Sequence, residues 1–411
     1  MSRRVAVTGL GVVSPVGVGT ESFWSAVKAG NNGVTEIPAS ILQILPGLRT
    51  RSAAGISEHW LAQPKGSGAR VERLGTIAFR QALDDAGLAS LQDVSSGLVF
   101  GTAVGDTAGM ERSFVSIDER GAFDFTKADT HLFNTMHFHA TAAEWARSSR
   151  CEGPTIVVST GCTAGIDSFG IAFDLVRNNR VDVAVCGAAD APLTPIVFAA
   201  FDALGALSKR DHDVTRASRP FDRTRDGFVL GEGAGVLVLE EYEHALRRGA
   251  KIYAEASGFS SLSNGFHMTD LPSDGKALAR CFEQAILDAG IRACEIDCVN
   301  AHGSSTKQND VCETSSIAAV LGDQAENVSV NSLKAMVGHA LGASNAIELV
   351  ACALSIHEQF VFPTINLDHP DPDCYLDYVP NRGRKRRIRH LAKLSNGFSG
   401  IHSTAILSRA T

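Results

Sequence analysis

Cys162 has the side chain and the local surroundings that a thiol nucleophile requires. It follows the apolar segment 155–158 and precedes a helix-like segment that begins near Ala164. A thiol at such a strand-to-helix junction lies against the free N–H groups of the helix N-terminus, which stabilise a thiolate and lower the thiol pKa. We therefore expect Cys162 to be a nucleophile, with a buried structural cysteine as the alternative.

Two histidines lie in comparable positions in the second half of the sequence. His302 follows the apolar segment 298–301 and precedes a cluster of serine and threonine residues at 304–306, whereas His339 follows Lys334 near the start of a helix-like segment. Neutral imidazoles close to a thiolate can polarise a carbonyl or stabilise an enolate. Each histidine alone is compatible with a purely structural role, so the chemical interpretation depends on their proximity to the thiol.

The elements that must position these residues alternate between strands and helices. A β-rich segment opens the chain at 5–11, and a similar opening occurs at 252–259. In each half a helix-like segment follows and ends in Ala-Gly, at 86–87 and at 289–290, before another apolar strand. This alternation predicts an α/β fold with mixed sheets packed in layers with helices. The repeat predicts two duplicated βαβ-type halves that pack as one body.

The composition excludes several classes of protein. The chain has 411 residues, with 38 lysines and arginines against 45 acidic residues and a formal charge of −7, which argues against a nucleic-acid or membrane-surface binder. No apolar run reaches the roughly 18 residues of a membrane helix, and no signal-peptide pattern opens the chain. The nine cysteines show no Cys-x-x-Cys pair and indicate reduced thiols. We therefore expect a cytoplasmic protein.

Neither a metal site nor a nucleotide site is predicted. His131, His137 and His139 lie close together, but no carboxylate or cysteine completes a recognisable ligand set around them. The segment Gly9-Leu10-Gly11 follows a strand-like run, but Ser14 occupies the position of the third glycine of a dinucleotide-binding loop.

These residues together resemble the β-ketoacyl synthase (condensing enzyme) family of the thiolase superfamily, along the whole chain. The resemblance is carried by the following segments: 4–11, the turn at Cys162, 220–235, 300–303, 334–339 and 396–398. Finer motifs are similar to the ketosynthase-alpha subunits of bacterial type II polyketide synthases, and they lie at 159–168, 266–269, 306–314 and 371–380. In that family the partner subunit, the chain-length factor, lacks the nucleophilic cysteine. This chain therefore resembles the catalytic member.

The resemblance implies a thiolase-like fold, with a nucleophile half at 1–250 and a histidine half at 251–411. Cys162 would carry the acyl chain as a thioester, and His302 and His339 would assist decarboxylation of malonyl-acyl carrier protein. Lys334 would orient the histidines, with Glu313 as its counter-charge. The backbone N–H groups of Cys162 and Phe398 would form the oxyanion hole.

The resemblance also implies the substrate carrier and the partners. Phe398 would act as a gate between acylation and condensation, Ser304 and Thr306 would bind the phosphopantetheine arm, and Asp310 would support the site together with Glu313. No metal and no cofactor other than the phosphopantetheine of acyl carrier protein is implied. The partners would be acyl carrier protein and either a chain-length factor in a heterodimer or a second copy in a homodimer.

Some positions depart from the family pattern and leave the product class open. Ser304 replaces a common threonine, Ala335 a usual serine, Asn345 a small residue, and Ser399 the first glycine after Phe398. A polyketide chain-elongating ketosynthase is the leading interpretation. The alternatives are a fatty-acid elongating 3-oxoacyl-[acyl carrier protein] synthase that acts as a homodimer and a non-catalytic assembly subunit. A thiolase is disfavoured because no cysteine follows Cys374 near the C-terminus.

Overall fold

The computed structural model describes residues 3–61, 69–114, 121–122, 137–272 and 274–411. Its strands, in chain order, are β1 (Val5–Ser14), β2 (Gly17–Val18), β3 (Thr35–Glu36), β4 (Ser52–Ala54), β5 (Ser96–Gly101), β6 (Thr155–Val158), β7 (Val183–Asp190), β8 (Leu230–Gly231), β9 (Gly233–Glu241), β10 (Ala254–Ser263), β11 (Cys298–Asn300), β12 (Ser329–Asn331), β13 (Phe360–Val361), β14 (Arg384–Lys385), β15 (His390–Asn396) and β16 (Ile401–Ser408). Its α-helices are α1 (Thr20–Ala29), α2 (Ala39–Ile44), α3 (Arg70–Asp85), α4 (Thr107–Phe114), α5 (Ala140–Ser149), α6 (Ala164–Arg177), α7 (Pro195–Leu204), α8 (Tyr242–Arg247), α9 (Lys276–Asp288), α10 (Lys307–Leu321), α11 (Lys334–Val337) and α12 (Gly342–Glu358).

Most strands form one mixed sheet in which the two halves of the chain repeat the same arrangement. Within the described residues this sheet has 11 strands in the order β12–β11–β15–β16–β10–β1–β9–β7–β5–β6, with β2 attached to β1. In the first half β5 is parallel to β6 and β7, whereas the pairs β7–β9 and β9–β1 are antiparallel. In the second half β11 is parallel to β12 and β15, whereas β15–β16 and β16–β10 are antiparallel. The halves meet at the antiparallel pair β1–β10.

This repeated strand order confirms the α/β fold with mixed sheets and duplicated halves. The related helices α3 and α9 also end in the same way, because Gly87 and Gly290 both have a φ of 67° after the last helical turn. Glycine adopts this left-handed conformation without strain, which makes it the favoured residue just beyond a helix. The division of the chain at residue 250 stays a prediction.

Helix α12 lies in the core and holds α6 in place. Its residues from Gly342 to Ile356 are all buried, and it packs against α6 and β9. The close approach requires glycine, since a Cβ at Gly165 would lie 2.6 Å from the Gly342 carbonyl oxygen. A Cβ at Gly235 of β9 would similarly lie 2.3 Å from the carbonyl carbon of Ala346. The helix that begins beside Cys162 is therefore packed directly against α12.

Two features that the sequence does not predict, a membrane-spanning helix and a metal site, are also absent from the described residues. No helix in these ranges is long and apolar enough to cross a lipid bilayer. The same ranges contain no group of three or more His, Cys, Asp or Glu side chains arranged to hold a metal ion. His131 lies outside the described residues, whereas the rings of His137 and His139 stack with their centroids 5.0 Å apart.

Candidate active site

The predicted nucleophile lies in a short turn that joins β6 to α6. The chain forms one 3-10 turn, Gly161–Thr163, whose glycine has a φ of 66° and which continues directly into α6. The hydroxyls of Thr160 and Thr163 donate to the Asp167 carboxylate at 2.5 and 2.8 Å. These two bonds fix the turn on the first residues of the helix, with Cys162 on the wall of a cavity.

The two predicted histidines lie next to each other in an edge-to-face arrangement. His302 follows β11 and His339 follows α11, and their ring centroids lie 5.3 Å apart with the planes at 82°. Nδ1 of His339 lies 2.8 Å from Ser344 Oγ, which leaves Nε2 for a substrate. Burial, reinforced by the Lys334 ammonium, lowers the pKa of both imidazoles well below the ordinary value. Both rings are therefore neutral near pH 7, the state expected of groups that polarise a carbonyl.

One cavity of about 490 Å³ brings the predicted chemical groups together. Its lining includes Cys162, His302, Ser304, Thr306, His339 and Phe398. Part of the wall is aromatic, because Phe201 packs against Phe228 and Phe398 with ring centroids 5.4 and 6.1 Å apart. The cavity thus combines an apolar wall for a hydrocarbon chain with a thiol and two imidazoles.

The predicted hydroxyl groups lie on the polar side of the same cavity. Ser304 Oγ and Thr306 Oγ1 are 3.0 Å apart, and Thr306 caps α10 by accepting the N–H of Asn309 at 3.4 Å. Lys307 and Gln308 line the cavity beside them. This side of the cavity offers donors and acceptors to a polar, extended ligand such as an amide-containing arm.

Lys334 lies behind the two histidines and is paired differently from the prediction. Its ammonium lies 2.6 Å from Glu348 Oε1 and donates to the His302 carbonyl oxygen at 2.8 Å. Glu313 instead accepts the backbone N–H groups of His302 and Gly303, at 2.5 and 2.8 Å. The expectation that Glu313 is the counter-charge of Lys334 was wrong, because α12 brings Glu348 into direct contact with the ammonium.

Asp310 lies behind the cavity on the same helix as Glu313. Its carboxylate accepts the N–H of Phe221 at 2.9 Å and lies 3.2 Å from Nε of Arg225, and both charged side chains are buried. This ion pair ties α10 to the segment around residue 221, which precedes β8. Asp310 therefore acts on the surroundings of the site and does not line the cavity.

Burial affects the Cys162 thiol more strongly than the helix N-terminus does. It raises the pKa of Cys162 to about 11, although Lys334 and the backbone N–H groups of Phe398 and Cys162 act to lower it. The expected lowering of this thiol pKa was wrong, because desolvation of the thiolate outweighs the nearby positive groups. The two N–H groups that reach the sulfur are the same two that the resemblance assigns to an oxyanion hole.

Comparisons with known proteins show the family of this chain. The model of the beta-ketoacyl synthase N-terminal domain matches residues 2–245, and that of the C-terminal domain matches residues 253–368. The chain belongs to the β-ketoacyl synthase family. It is 43% identical to the Tetracenomycin polyketide synthase ketoacyl synthase alpha subunit of Streptomyces glaucescens, over 99% of this chain and 97% of that protein.

Two solved structures share the fold of this synthase over its full length. One is a type II PKS acyl-carrier protein in complex with its ketosynthase bound to the hexaketide, with a TM-score of 0.95, 41% identity and full coverage (100%) of both chains. The other is the ishigamide ketosynthase/chain length factor, with a TM-score of 0.91, 34% identity and 100% coverage of both chains. The predicted family, the thiolase-like fold and the class of condensing acyltransferase are confirmed.

The synthase contains buried charged residues that sequence reasoning missed. Glu348 is the one charged residue in the apolar stretch 346–354, and Lys393 is the one charged residue in 391–394. Both side chains are fully buried and lie 2.8 Å apart. A single charge in an apolar helix or strand was the available signal, because such a residue is rarely buried without a partner.

Asn345, which departs from the family pattern, contacts the nucleophile turn. Its side-chain Nδ2 donates to the carbonyl oxygen of Cys162 and to Ser395 Oγ, the latter at 2.9 Å. The side chain is fully buried between α6 and β15. In this synthase a side-chain amide therefore holds the turn from behind.

Phe398 lies in a short turn that joins β15 to β16 at the mouth of the cavity. Within this turn Ser399 has a φ of 68°, and its N–H donates to the carbonyl oxygen of Met268. Gly400 has a φ of 74°, and a Cβ there would lie 2.1 Å from Asn264 Oδ1. The turn that carries Phe398 is thus closely packed against the segment 264–268.

Proposed function

We propose that this synthase catalyses the decarboxylative Claisen condensation of malonyl-acyl carrier protein with an acyl chain held as a thioester on Cys162, in polyketide chain elongation. The observation that carries the proposal is the convergence of Cys162, His302 and His339 on one cavity. The relatives in polyketide synthases support the polyketide product class.

The first step transfers the acyl chain to the enzyme. The sulfur of Cys162 attacks the carbonyl carbon of the carrier-bound thioester, the bond from that carbon to the phosphopantetheine sulfur breaks, and the thiol proton leaves with the carrier thiol. Because burial raises the pKa of the thiol to about 11, the thiolate is a minor species at pH 7. Stabilisation of the oxyanion by the N–H groups of Cys162 and Phe398 offsets part of this cost.

The second step forms the new carbon–carbon bond. The malonyl thioester loses its carboxylate as CO₂, and the electron pair of the broken bond forms an enolate. The enolate carbon attacks the Cys162 thioester, so the chain grows by two carbons and the cysteine sulfur is released. His302 and His339 are neutral and can donate N–H bonds to the thioester oxygen on which the charge develops.

The remaining site residues bind and admit the substrates in this proposal. Ser304 and Thr306 bind the phosphopantetheine arm through their hydroxyls at the polar side of the cavity. Phe398 gates the cavity, because its ring forms part of the aromatic wall and its backbone N–H reaches the nucleophile. Acyl carrier protein is the substrate carrier, and no resident cofactor is needed for thioester chemistry.

The proposed subunit partner is a chain-length factor that pairs with the exposed edge of the main sheet. Strand β6 is the last strand of this sheet among the described residues, and its only paired neighbour there is β5. Thr155 is exposed and Ile156 and Val157 are half-buried. An unprotected edge strand of this kind favours pairing with another chain. Because β6 leads directly into the Cys162 turn, a partner at this edge can shape the cavity.

The cytoplasm is the proposed compartment. All nine cysteines are free in the structure. Free thiols in this number fit a reducing environment.

Intact-mass analysis tests the reaction. Wild type and Cys162→Ala are mixed with an acylated carrier protein and malonyl carrier protein, with and without a chain-length-factor partner. We expect an acyl adduct in wild type that is absent from the variant, and elongation that requires the partner. Elongation without a partner would favour the fatty-acid homodimer, and the absence of an adduct under every condition would leave a non-catalytic subunit.

A charge on the edge strand tests the interface. Thr155→Lys places an ammonium on the exposed face of β6, and we expect it to abolish the complex while the isolated chain remains folded. Thr35→Lys is the matched control, because Thr35 is an exposed threonine on the short strand β3. A complex of unchanged affinity in Thr155→Lys would place the interface elsewhere.

A further inference from the structure

Lys393 is a fully buried lysine in the middle of β15. Its ammonium lies 2.8 Å from Glu348 Oε2 and donates to the carbonyl oxygens of Leu394 and Ala301, at 2.6 and 3.3 Å. Two of these contacts are hydrogen bonds, whereas the contact with Glu348 is an ion pair, because Glu348 Oε2 accepts no hydrogen bond within the described residues. Removing an ammonium from water costs several kcal/mol. Packing alone therefore favours an apolar residue at this position, and the charge needs a separate reason.

The carboxylate of Glu348 is shared between two lysines. Oε1 lies 2.6 Å from the ammonium of Lys334, and Oε2 lies 2.8 Å from that of Lys393. All three side chains are at most 1% exposed. These three side chains together carry one net positive charge behind the histidines, where the low dielectric makes it effective. Glu313, whose pKa is raised by burial to about 7, offsets part of this charge when it is ionised.

The same two lysines hold two consecutive carbonyl groups of the chain just after β11. Lys393 donates to the carbonyl of Ala301 and Lys334 donates to the carbonyl of His302. Glu313 accepts the N–H groups of His302 and Gly303 from the opposite side. The position of the His302 imidazole is therefore set by charged groups that act on its backbone.

We propose that Lys393 is a positioning residue for the condensation reaction, which holds Glu348 and the Ala301 carbonyl in place behind His302 and supplies a second positive charge there. The proposal builds on the proposed function, since it assigns a residue to the same site. Lys393 does not line the cavity, so it acts through Glu348 and the loop.

The electrostatic surroundings of His302 agree with this role. The titratable and charged groups that surround it are Lys334 on α11, His339 beyond α11, Lys393 on β15, His402 on β16, Glu313 on α10 and Glu348 on α12. Burial is the main cause that lowers the pKa of His302, and the charges of Lys334 and Lys393 lower it further. The same three causes lower the pKa of His339. Removal of the Lys393 charge should therefore raise both histidine pKa values.

Two variants separate the charge of Lys393 from its hydrogen bonds. Lys393→Met removes both, whereas Lys393→Gln removes the charge and keeps a donor. Lys385→Met is the control, because Lys385 is an exposed lysine on the short strand β14. The first measurement is the NMR titration of ¹⁵N-histidine-labelled protein, with His302 and His339 assigned by single substitutions. This measurement needs no catalytic activity.

We expect the His302 and His339 titrations to move upward in both Lys393 variants and to stay unchanged in Lys385→Met. We also expect kcat for condensation to fall about 10- to 100-fold in the Lys393 variants, with little change in KM for malonyl carrier protein. The acid limb of the pH profile of kcat should move upward, toward pH 6.5. Cys162 acylation, followed by intact mass in the same samples, should change much less. A merely structural role would lower stability without moving the titrations.

Several outcomes would overturn the proposal. Folded Lys393→Gln or Lys393→Met with wild-type titrations and a wild-type acid limb would do so. If neither variant folds, the titration of His302 in the wild type is the test. A His302 imidazole that titrates near its ordinary pKa would show that the lysines do not act on it. A wrong proposed function gives a different result. In that case wild type forms no acyl adduct on Cys162, whereas the histidine titrations still report whether Lys393 acts on His302.

Discussion

Glu348 lies 2.6 Å from the ammonium of Lys334, and both side chains are buried. This contact joins a residue of the long core helix α12 to the first residue of α11, which precedes His339. The carboxylate therefore neutralises a lysine that itself holds the carbonyl of His302. The stability of the fold and the geometry of the site depend on the same pair.

Removal of the carboxylate at Glu348 should strongly destabilise the protein. In Glu348→Gln two buried ammonium groups lose their counter-charge, and loss of one partner of a buried ion pair costs about 3–5 kcal/mol. Urea unfolding measures the effect. Glu358→Gln is the control on the same helix, because Glu358 pairs with Lys28 at the surface, where an ion pair contributes about 0–1 kcal/mol. Equal losses in the two variants would contradict a role for the buried pair.

Glu313 should make the stability of the protein depend on pH. Burial raises the pKa of this carboxyl from 4.5 to about 7. Between these pH values the folded protein keeps a proton that the unfolded chain has lost, so the contribution of Glu313 to stability falls as the pH rises, by about 1.4 kcal/mol per pH unit. Above pH 7 this contribution is constant.

Glu313→Gln isolates this effect, because the variant lacks the titrating proton and shares all other groups with wild type. Urea unfolding of both proteins at pH 5, 6, 7 and 8 gives the stability difference at each pH. We expect the variant to gain on wild type from pH 5 to 7 and the difference to level off by pH 8. A difference that stays constant over this range would show that the Glu313 carboxyl titrates normally.

Much of the site could be predicted from sequence, because its reacting groups follow strand ends and turns that local patterns reveal. Cys162, His302 and His339 can each be found in this way. The repeated Ala-Gly helix ends likewise indicate the repeated strand order of the two halves. The counter-charge of Lys334 could not be found, since the resemblance implies Glu313 and no local pattern indicates that Glu348 contacts the ammonium. That choice depends on which face of α12 turns toward α11.

The reactivity of Cys162 shows a second limit of sequence reasoning. The strand-to-helix junction supplies one N–H group that acts to lower the thiol pKa, that of Cys162 itself, whereas the other belongs to Phe398 in the turn between β15 and β16. The opposing effect is burial of the sulfur in a turn that packs against α12, β15 and β16, which are all distant in sequence. The sign of a pKa shift that results from two opposed effects depends on this tertiary packing.

Alkylation of Cys162 should rise steeply with pH. Since the pKa of the thiol is about 11, the thiolate fraction should increase about tenfold per pH unit between pH 7 and pH 10. Iodoacetamide labelling followed by peptide mass mapping measures the rate at this residue. Cys294, an exposed cysteine, gives an internal comparison in the same digest. A rate at Cys162 that is already independent of pH at pH 8 would show that the N–H groups and Lys334 outweigh burial.

Asn345 should stabilise the nucleophile turn through its side-chain amide. Asn345→Ala removes the donor to the Cys162 carbonyl and to Ser395 Oγ, and loss of a buried hydrogen-bond partner costs about 1–3 kcal/mol. Ser355→Ala is the control on the same helix, because the buried Ser355 hydroxyl has no hydrogen-bond partner in the described part of the chain. We expect urea unfolding to show a clear loss for Asn345→Ala and little change for Ser355→Ala. We also expect a slower acylation of Cys162 in Asn345→Ala, because the turn loses a fixed contact behind the sulfur. Equal stability and equal acylation in both variants would show that the amide does not hold the turn.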